Sequence, residues 1–186
     1  YLMPNEKNTK FELPTLWSPE EITSLFGRVY NGRPISGISI DSRTVTEGDL
    51  FIALTGDNES STDGHEFVGK AISSGAVAAM IHQTDIYLSD GRAIKVDDTS
   101  RGLWSLGHSA RSRCQRAIAI TGSSGKTTLR FWLETLLRGV APTHASVGSY
   151  NNHWGVPLSL ARMPHQTTYG VFEIGTNHPG EIAPLT

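Results

Sequence analysis

Residues Ala117–Thr128, AIAITGSSGKTT, constrain the fold of this chain more than any other stretch. Ala117–Ile120 is apolar and partly β-branched with no polar alternation, the pattern of a strand buried in a parallel sheet. It runs into Thr121-Gly122-Ser123-Ser124-Gly125-Lys126-Thr127-Thr128 and then into apolar residues at helical spacing. A strand, a glycine turn, Lys-Thr and a helix form a phosphate-binding loop. Successive backbone N–H groups face an anion, and the positive end of the helix dipole backs them. Gly122 and Gly125 allow the tight turn and the close approach of phosphate oxygens. Ser123, Ser124 and Thr128 complete the cradle, Lys126 supplies a point charge to the terminal phosphates, and the Thr127 hydroxyl supplies a ligand to Mg²⁺. The common pattern GxxxxGK[ST] needs a glycine at position 120, where this chain has Ile120. The shorter G-x-x-G-K-T-T, set between a β run and an amphipathic helix, reads as a nucleotide site rather than an ordinary turn.

Composition sets the limits around that loop. At 186 residues the chain fits one domain or two small ones. Hydrophobic content of 38% with 18% charged residues describes an ordered globular chain, and a net charge of -2 gives no electrostatic case for a nucleic-acid partner. The single cysteine, Cys114, excludes an internal disulfide and a cysteine-built metal cluster, and fits a reducing compartment. No apolar run approaches the ~20 residues of a membrane span. The N-terminus has no signal-peptide core. It also lacks an initiator Met, and GEIAPLT ends as a helix begins, so a segment of a longer protein is expected.

In chain order, Ser18-Pro19-Glu20-Glu21 predicts a helix start with a capping box, Ile22, Leu25 and Phe26 facing inward and Gly27 ending it. Ile38-Ser39-Ile40 alternates like a half-buried strand and leads into Asp41-Ser42-Arg43. Glu47-Gly48-Asp49 predicts a turn and Leu50–Leu54 a buried strand. After a polar loop over Thr55–Gly64, a helix carrying Phe67, Val68, Ala71 and Ile72 stops at Gly75. Ala76–Ile81 and Ile94–Val96 read as strands. Asp98 or Thr99 caps a helix through Leu103, Leu106 and Ala110. Alternating β and α over about a hundred residues gives a first α/β domain, and Arg111-Ser112-Arg113 marks the junction as a solvated helix end. Beyond the loop, Leu129, Leu133, Leu136, Leu137 and Val140, with Trp132 beside them, read as a core-packing stripe. His144–Val147 and Tyr169–Ile174 read as strands, and Pro157 opens a short helix.

Glu173 interrupts an otherwise apolar strand, and burying it unpaired would be costly. It either lies at a strand edge with its side chain in solvent or sits at the carboxyl end of a parallel strand, where open α/β sheets bind ligands; the second reading is favoured, and there it would ligate the nucleotide's Mg²⁺. His144, His153 and His178 lack zinc-site spacing, and His153 and His178 read as hydrogen-bonding loop residues.

TGSSGKTT (121–128), SYNNHWGVPLSLARM (149–163) and FEIGTNHPGEI (172–182) together resemble the Mur ligase family. SIDSRTVTEGDLFIAL (39–54), DGHEFV (63–68) and AISSGA (71–76) resemble that family's uridine-nucleotide-binding domain. The resemblance covers nearly all of the chain after about residue 35, and the family's loop has the shorter form. It implies a small α/β substrate domain over 1–112 and, over 113–186, the start of a central ATP-binding domain with a mostly parallel sheet. It also implies an ATP-dependent amide ligase that adds D-alanyl-D-alanine to UDP-MurNAc-tripeptide through an acyl phosphate. Lys126 and the loop would hold ATP, Thr127 and Glu173 would hold Mg²⁺, and Asn151 or Asn152 would sit near the γ-phosphate. Ser42 and Arg43 would contact the uridine nucleotide. A cytoplasmic enzyme, monomeric at full length and without nucleic-acid or membrane partners, is implied as well. The family's later central-domain histidine, adenine pocket and amine site are absent, so the segment alone is expected not to ligate. A sister ligase adding the third amino acid to UDP-MurNAc-dipeptide, a P-loop kinase and a non-catalytic nucleotide-binding module are the competing readings. The wording of 149–163 and 172–182 favours the first ligase.

Overall fold

The computed structural model describes residues 13–56, 62–148 and 150–175. Part of the Thr55–Gly64 loop, His178 and the end of the 172–182 motif lie outside these. The chain begins with helix α1 (Pro19–Phe26), closed at its start by the predicted capping box. Ser18 Oγ accepts from Glu21 N, Glu21 reaches back to Ser18 N, and Gly27 ends the helix in the left-handed region at φ 64°. Strands β1 (Gly37–Ser39), β2 (Asp49–Ile52), β3 (Ala78–Ile81) and β4 (Ala93–Lys95) form a four-stranded sheet in chain order, every pair parallel. β2 and β3 are buried along their whole length, as covered parallel strands must be. β1 does not alternate as expected: Ser39 is buried beside Ile38, its hydroxyl satisfied by Asp41 O and Thr44 Oγ1. The helix predicted across Phe67–Ile72 is divided into a 3-10 turn (Gly64–Phe67) and a short α2 (Val68–Ser73).

Helix α3 (Thr99–Arg111) starts at Asp98, whose carboxylate accepts from Arg101 N. Then come β5 (Arg116–Ile120), α4 (Lys126–Arg138), β6 (Thr143–Ala145), α5 (Gly155–Ala161) and β7 (Tyr169–Glu173). The second sheet is also parallel, in the order β5-β7-β6. β7 is therefore central, with Val171 facing the α4 side and Phe172 the α5 side. The whole is an α/β fold with two parallel sheets.

Both sheets share one apolar core. Leu103, Leu106 and Ala110 of α3 pack between Leu50, Ile52 and Met80 on one side and Val156 and Leu158 of α5 on the other. Gly107 permits the α3–α5 approach: a Cβ there would lie 3.1 Å from the Pro157 carbonyl oxygen. Trp17 Nε1 donates to Ala161 O, and Arg162 Nε to Ile38 O, so side chains cross the junction in both directions.

Two expectations are corrected here. Arg113 is not a solvated helix end. Its side chain is 9% exposed, its guanidinium lies 3.8 Å over the Trp17 ring, and it donates to Glu21, Leu16 O and Met163 O. Nor is the α4 stripe a core stripe. Leu133 and Leu137 pack onto the sheet, but Leu129, Trp132 (61%), Leu136 (70%) and Val140 are exposed. Helical spacing identifies the apolar face but not whether anything covers it.

Candidate nucleotide and metal site

The chain leaves β5 at Ile120, which lies in register with Glu173, the last residue of β7. The neighbouring strands therefore deliver the loop 121–125 and a carboxylate to the same sheet edge, the carboxyl end of parallel strands. The loop is exposed, with Gly122 at φ 146° and Gly125 at φ 77°. A residue with a Cβ would be strained at both positions. Lys126 opens α4 without a side-chain cap, and its Nζ donates 2.6 Å to the Gly122 carbonyl.

Glu173 is 2% exposed. The solvent-facing strand-edge reading is thereby excluded. Thr127 Oγ1 donates to Glu173 Oε2 at 2.9 Å, and Asn151 Nδ2 donates to Oε1 at 2.8 Å. The backbone N–H of Glu173 reaches the buried Ser146 hydroxyl at 3.3 Å. No lysine or arginine among the described residues forms an ion pair with this carboxylate. A buried carboxylate held only by neutral donors lacks the counter-charge that normally offsets its desolvation. The oxygens of Glu173 and Thr127 form a donor set suited to a hard divalent cation such as Mg²⁺.

The structure separates the two asparagines. Asn151 reaches Glu173, and its carbonyl accepts from Gly175 N. Asn152 turns away, its Oδ1 accepting from Trp154 N and Gly155 N at the start of α5. His153 lies against Trp154 with ring centroids 4.9 Å apart. His144 is half-buried and pairs with the Ser159 carbonyl, and its partial burial pushes its imidazole below its ordinary value.

A second cavity, of about 590 Å³, contains both residues expected to contact a nucleotide substrate. Ser42 and Arg43 line it with Ile40, Phe51, Phe67 and Lys70, and Tyr150 and Trp154 close it from the segment just before α5. Residues 150–154 thus serve both places: Asn151 touches Glu173 while its neighbours wall the cavity. The sequence reading missed Lys70, Tyr150 and Trp154. Two aromatic residues inside an otherwise polar loop were a usable signal, whereas Lys70 offered none.

Arg43 is committed within the chain, its Nε and Nη2 forking onto both oxygens of Asp41 at 2.6–3.1 Å. Hydrogen bonds from the Arg43 side chain, then from its backbone N–H, hold the Asp41 carboxyl at about 2. A carboxyl lowered on folding contributes stability above its unfolded value, ~3.9, and loses it as pH falls through about 2. Asp41→Asn is therefore expected to lose less stability than the wild type between pH 4 and 2. Urea melts followed by circular dichroism test this, and parallel losses would refute it.

Comparison with known proteins agrees with the geometry. Residues 34–107 match the family described as "Mur ligase family, catalytic domain", and residues 120–186 match "Mur ligase middle domain". A UDP-N-acetylmuramoyl-tripeptide--D-alanyl-D-alanine ligase from Rickettsia prowazekii is 33% identical over 172 residues, 91% of this chain and 37% of that protein. The UDP-N-acetylmuramoylalanyl-D-glutamyl-2,6-diaminopimelate--D-alanyl-D-alanyl ligase of Acinetobacter baumannii superposes with a TM-score of 0.74 at 31% identity, covering 91% of this chain and 38% of that one. The Thermotoga maritima MurF ligase, solved in complex with ADP, gives a TM-score of 0.62 at 29% identity over 80% of this chain and 34% of that one. The chain therefore spans under two fifths of the length of these relatives. With two family matches in order, its parallel sheets superposing on solved members, the chain belongs to the Mur ligase family.

Proposed function

We propose that this chain is the substrate- and ATP-binding part of a cytoplasmic ligase that joins D-alanyl-D-alanine to UDP-MurNAc-tripeptide. Residues 1–112 would form the nucleotide-substrate domain and 113–186 the start of the ATP domain. The observation that carries the reading is the buried Glu173 carboxylate. Among the described residues its oxygens are bonded only by the neutral side chains of Thr127 and Asn151, and Glu173 lies in register with Ile120, from which the glycine loop leaves β5.

In the reaction, the tripeptide's terminal carboxylate attacks the γ-phosphorus of ATP and ADP departs. The amine of D-alanyl-D-alanine then attacks the acyl carbon of the acyl phosphate, and inorganic phosphate leaves. Two anions must meet in the first step, so catalysis consists of alignment and charge neutralisation. Lys126 exchanges the Gly122 carbonyl for phosphate oxygens, replacing a contact to a neutral acceptor with a charge-assisted one. The N–H groups of 122–128 orient the phosphates, and the Asn151 amide lies within reach of the γ-phosphate side. Thr127 and Glu173 would hold Mg²⁺, which when bound neutralises phosphate charge. Ser42 and Arg43 line the cavity that receives the uridine nucleotide. A monomer suits this reading, and no described helix is long and apolar enough to cross a membrane.

Separate calorimetric titrations with Mg-ATP and with UDP-MurNAc-tripeptide test the proposal, and both ligands are expected to bind residues 1–186. Binding of the sugar nucleotide without Mg-ATP would establish a non-catalytic module instead. Turnover is expected only from a protein of the relatives' full length.

A further inference from the structure

We infer that Lys70 is the residue that contacts the diphosphate in the nucleotide-substrate cavity, and that it governs the preference for a charged nucleotide over a nucleoside. The inference rests on the proposed assignment of that cavity to a nucleotide substrate. The cavity is built for a flat apolar group beside an anion. Ile40, Phe51, Leu54, Phe67, Tyr150 and Trp154 supply apolar and aromatic surface, while its charged lining groups are Asp41, Arg43 and Lys70. Aromatic faces stack on a base, and a lysine ammonium is a compact point charge for phosphate oxygens.

Two cations line the cavity, and of these only Lys70 lacks an ion-pair partner among the described residues. Arg43 forks onto both carboxylate oxygens of Asp41 and also donates its backbone N–H to Oδ1. The Nε–Nη2 edge of its guanidinium is thereby occupied and its charge is partly offset. Lys70 is exposed on α2, and its ammonium makes no hydrogen bond or ion pair with any described residue. Its charge nonetheless reaches the Asp41 carboxyl, which places Lys70, Asp41 and Arg43 in one cluster carrying a single net positive charge. An incoming diphosphate therefore meets an available ammonium at Lys70 and a neutralised pair at Arg43.

The test compares wild type, Lys70→Ala and Lys70→Arg in titrations with UDP and with uridine. Lys70→Ala is expected to weaken UDP binding by about tenfold or more, the loss of one charge-assisted hydrogen bond. Uridine binding should stay within about twofold, and the arginine variant should retain most of the UDP affinity, since it keeps the charge. Added salt should narrow the UDP difference between wild type and Lys70→Ala, because an exposed charge contact is screened. Equal weakening of UDP and uridine, or unchanged UDP binding in Lys70→Ala, would overturn the inference. Failure of the wild-type protein to bind UDP would instead overturn the assignment of the cavity, and this inference with it. Lys70 is exposed on a short surface helix, and matching melting curves would exclude misfolding.

Discussion

A Glu173→Gln protein is expected to bind ATP equally well with Mg²⁺ and with EDTA, whereas the wild type gains about 10–100-fold from the metal, the value of one strong charged contact. The glutamine keeps the length and shape of the side chain and can still accept from Thr127 Oγ1. It cannot supply a charged oxygen to a cation, and its amide group would confront the Asn151 amide that now donates 2.8 Å to Oε1. Rotation of the Asn151 amide relieves that conflict, so the fold survives and the loss is confined to the metal. Calorimetric titration of ATP in the two buffers measures the effect directly. A variant that kept the wild-type metal dependence would show that the cation is held elsewhere. In the proposed reading Lys126, which follows the same loop, acts on phosphate rather than metal, so its loss would weaken ATP in both buffers alike.

Arg113→Ala is expected to cost about 3 kcal/mol of folding stability, no more than the lower end for a buried ion pair because the Glu21 side chain is a third exposed. In a chain of this length that corresponds to a fall in Tm of roughly 6–12 °C. The guanidinium does four things at once. It covers the Trp17 ring, pairs with Glu21 at 2.9 Å, and satisfies the carbonyls of Leu16 and Met163. Burial pushes the guanidinium below its ordinary value, and the charge of Glu21 opposes that shift. These contacts tie α1, the end of α3 and the segment after α5 together, so the loss should appear as one cooperative shift of the whole melt. Arg113→Lys should recover part of the loss, because lysine keeps a charge for Glu21 but not the planar face on Trp17 or the forked donors. A loss below about 1 kcal/mol for Arg113→Ala would return Arg113 to the solvated helix end that the sequence suggested.

Local chemistry made much of the chain legible. The capping box at Ser18 and Glu21 involves neighbours three residues apart, and the structure contains it as read. Gly27 sits in the left-handed region that favours glycine, and the apolar runs at 50–52 and 78–81 are strands buried along their length. Each signal is contained within one turn or one strand, so no distant partner could cancel it. The exposed face of α4 shows the opposite case. Leu129, Trp132 and Leu136 have the spacing of a buried stripe, but burial depends on what lies opposite, and spacing carries no information about that.

The candidate site divides along the same line. Gly122, Gly125, Lys126 and Thr127 were readable because the cradle is one continuous stretch whose backbone conformation its own residues dictate. Glu173 was readable as an anomaly, a charge inside an apolar run. Only the strand order β5-β7-β6 turned that anomaly into a site, by setting Glu173 in register with Ile120. The choice between Asn151 and Asn152 depended on which side chain was consumed in starting α5 and which reached Glu173. The cavity around Ser42 required Tyr150 and Trp154 to arrive from the segment before α5, over a hundred positions along the chain. By itself the sequence determined the loop, the helix ends, the α/β class and the family, because these rest on short-range conformation and residue order. The tertiary structure alone decided which carboxylate meets the loop, which cation remains available for a substrate, and which apolar faces are covered. Those are contacts between distant residues, and burial and partnership exist only once the chain has folded.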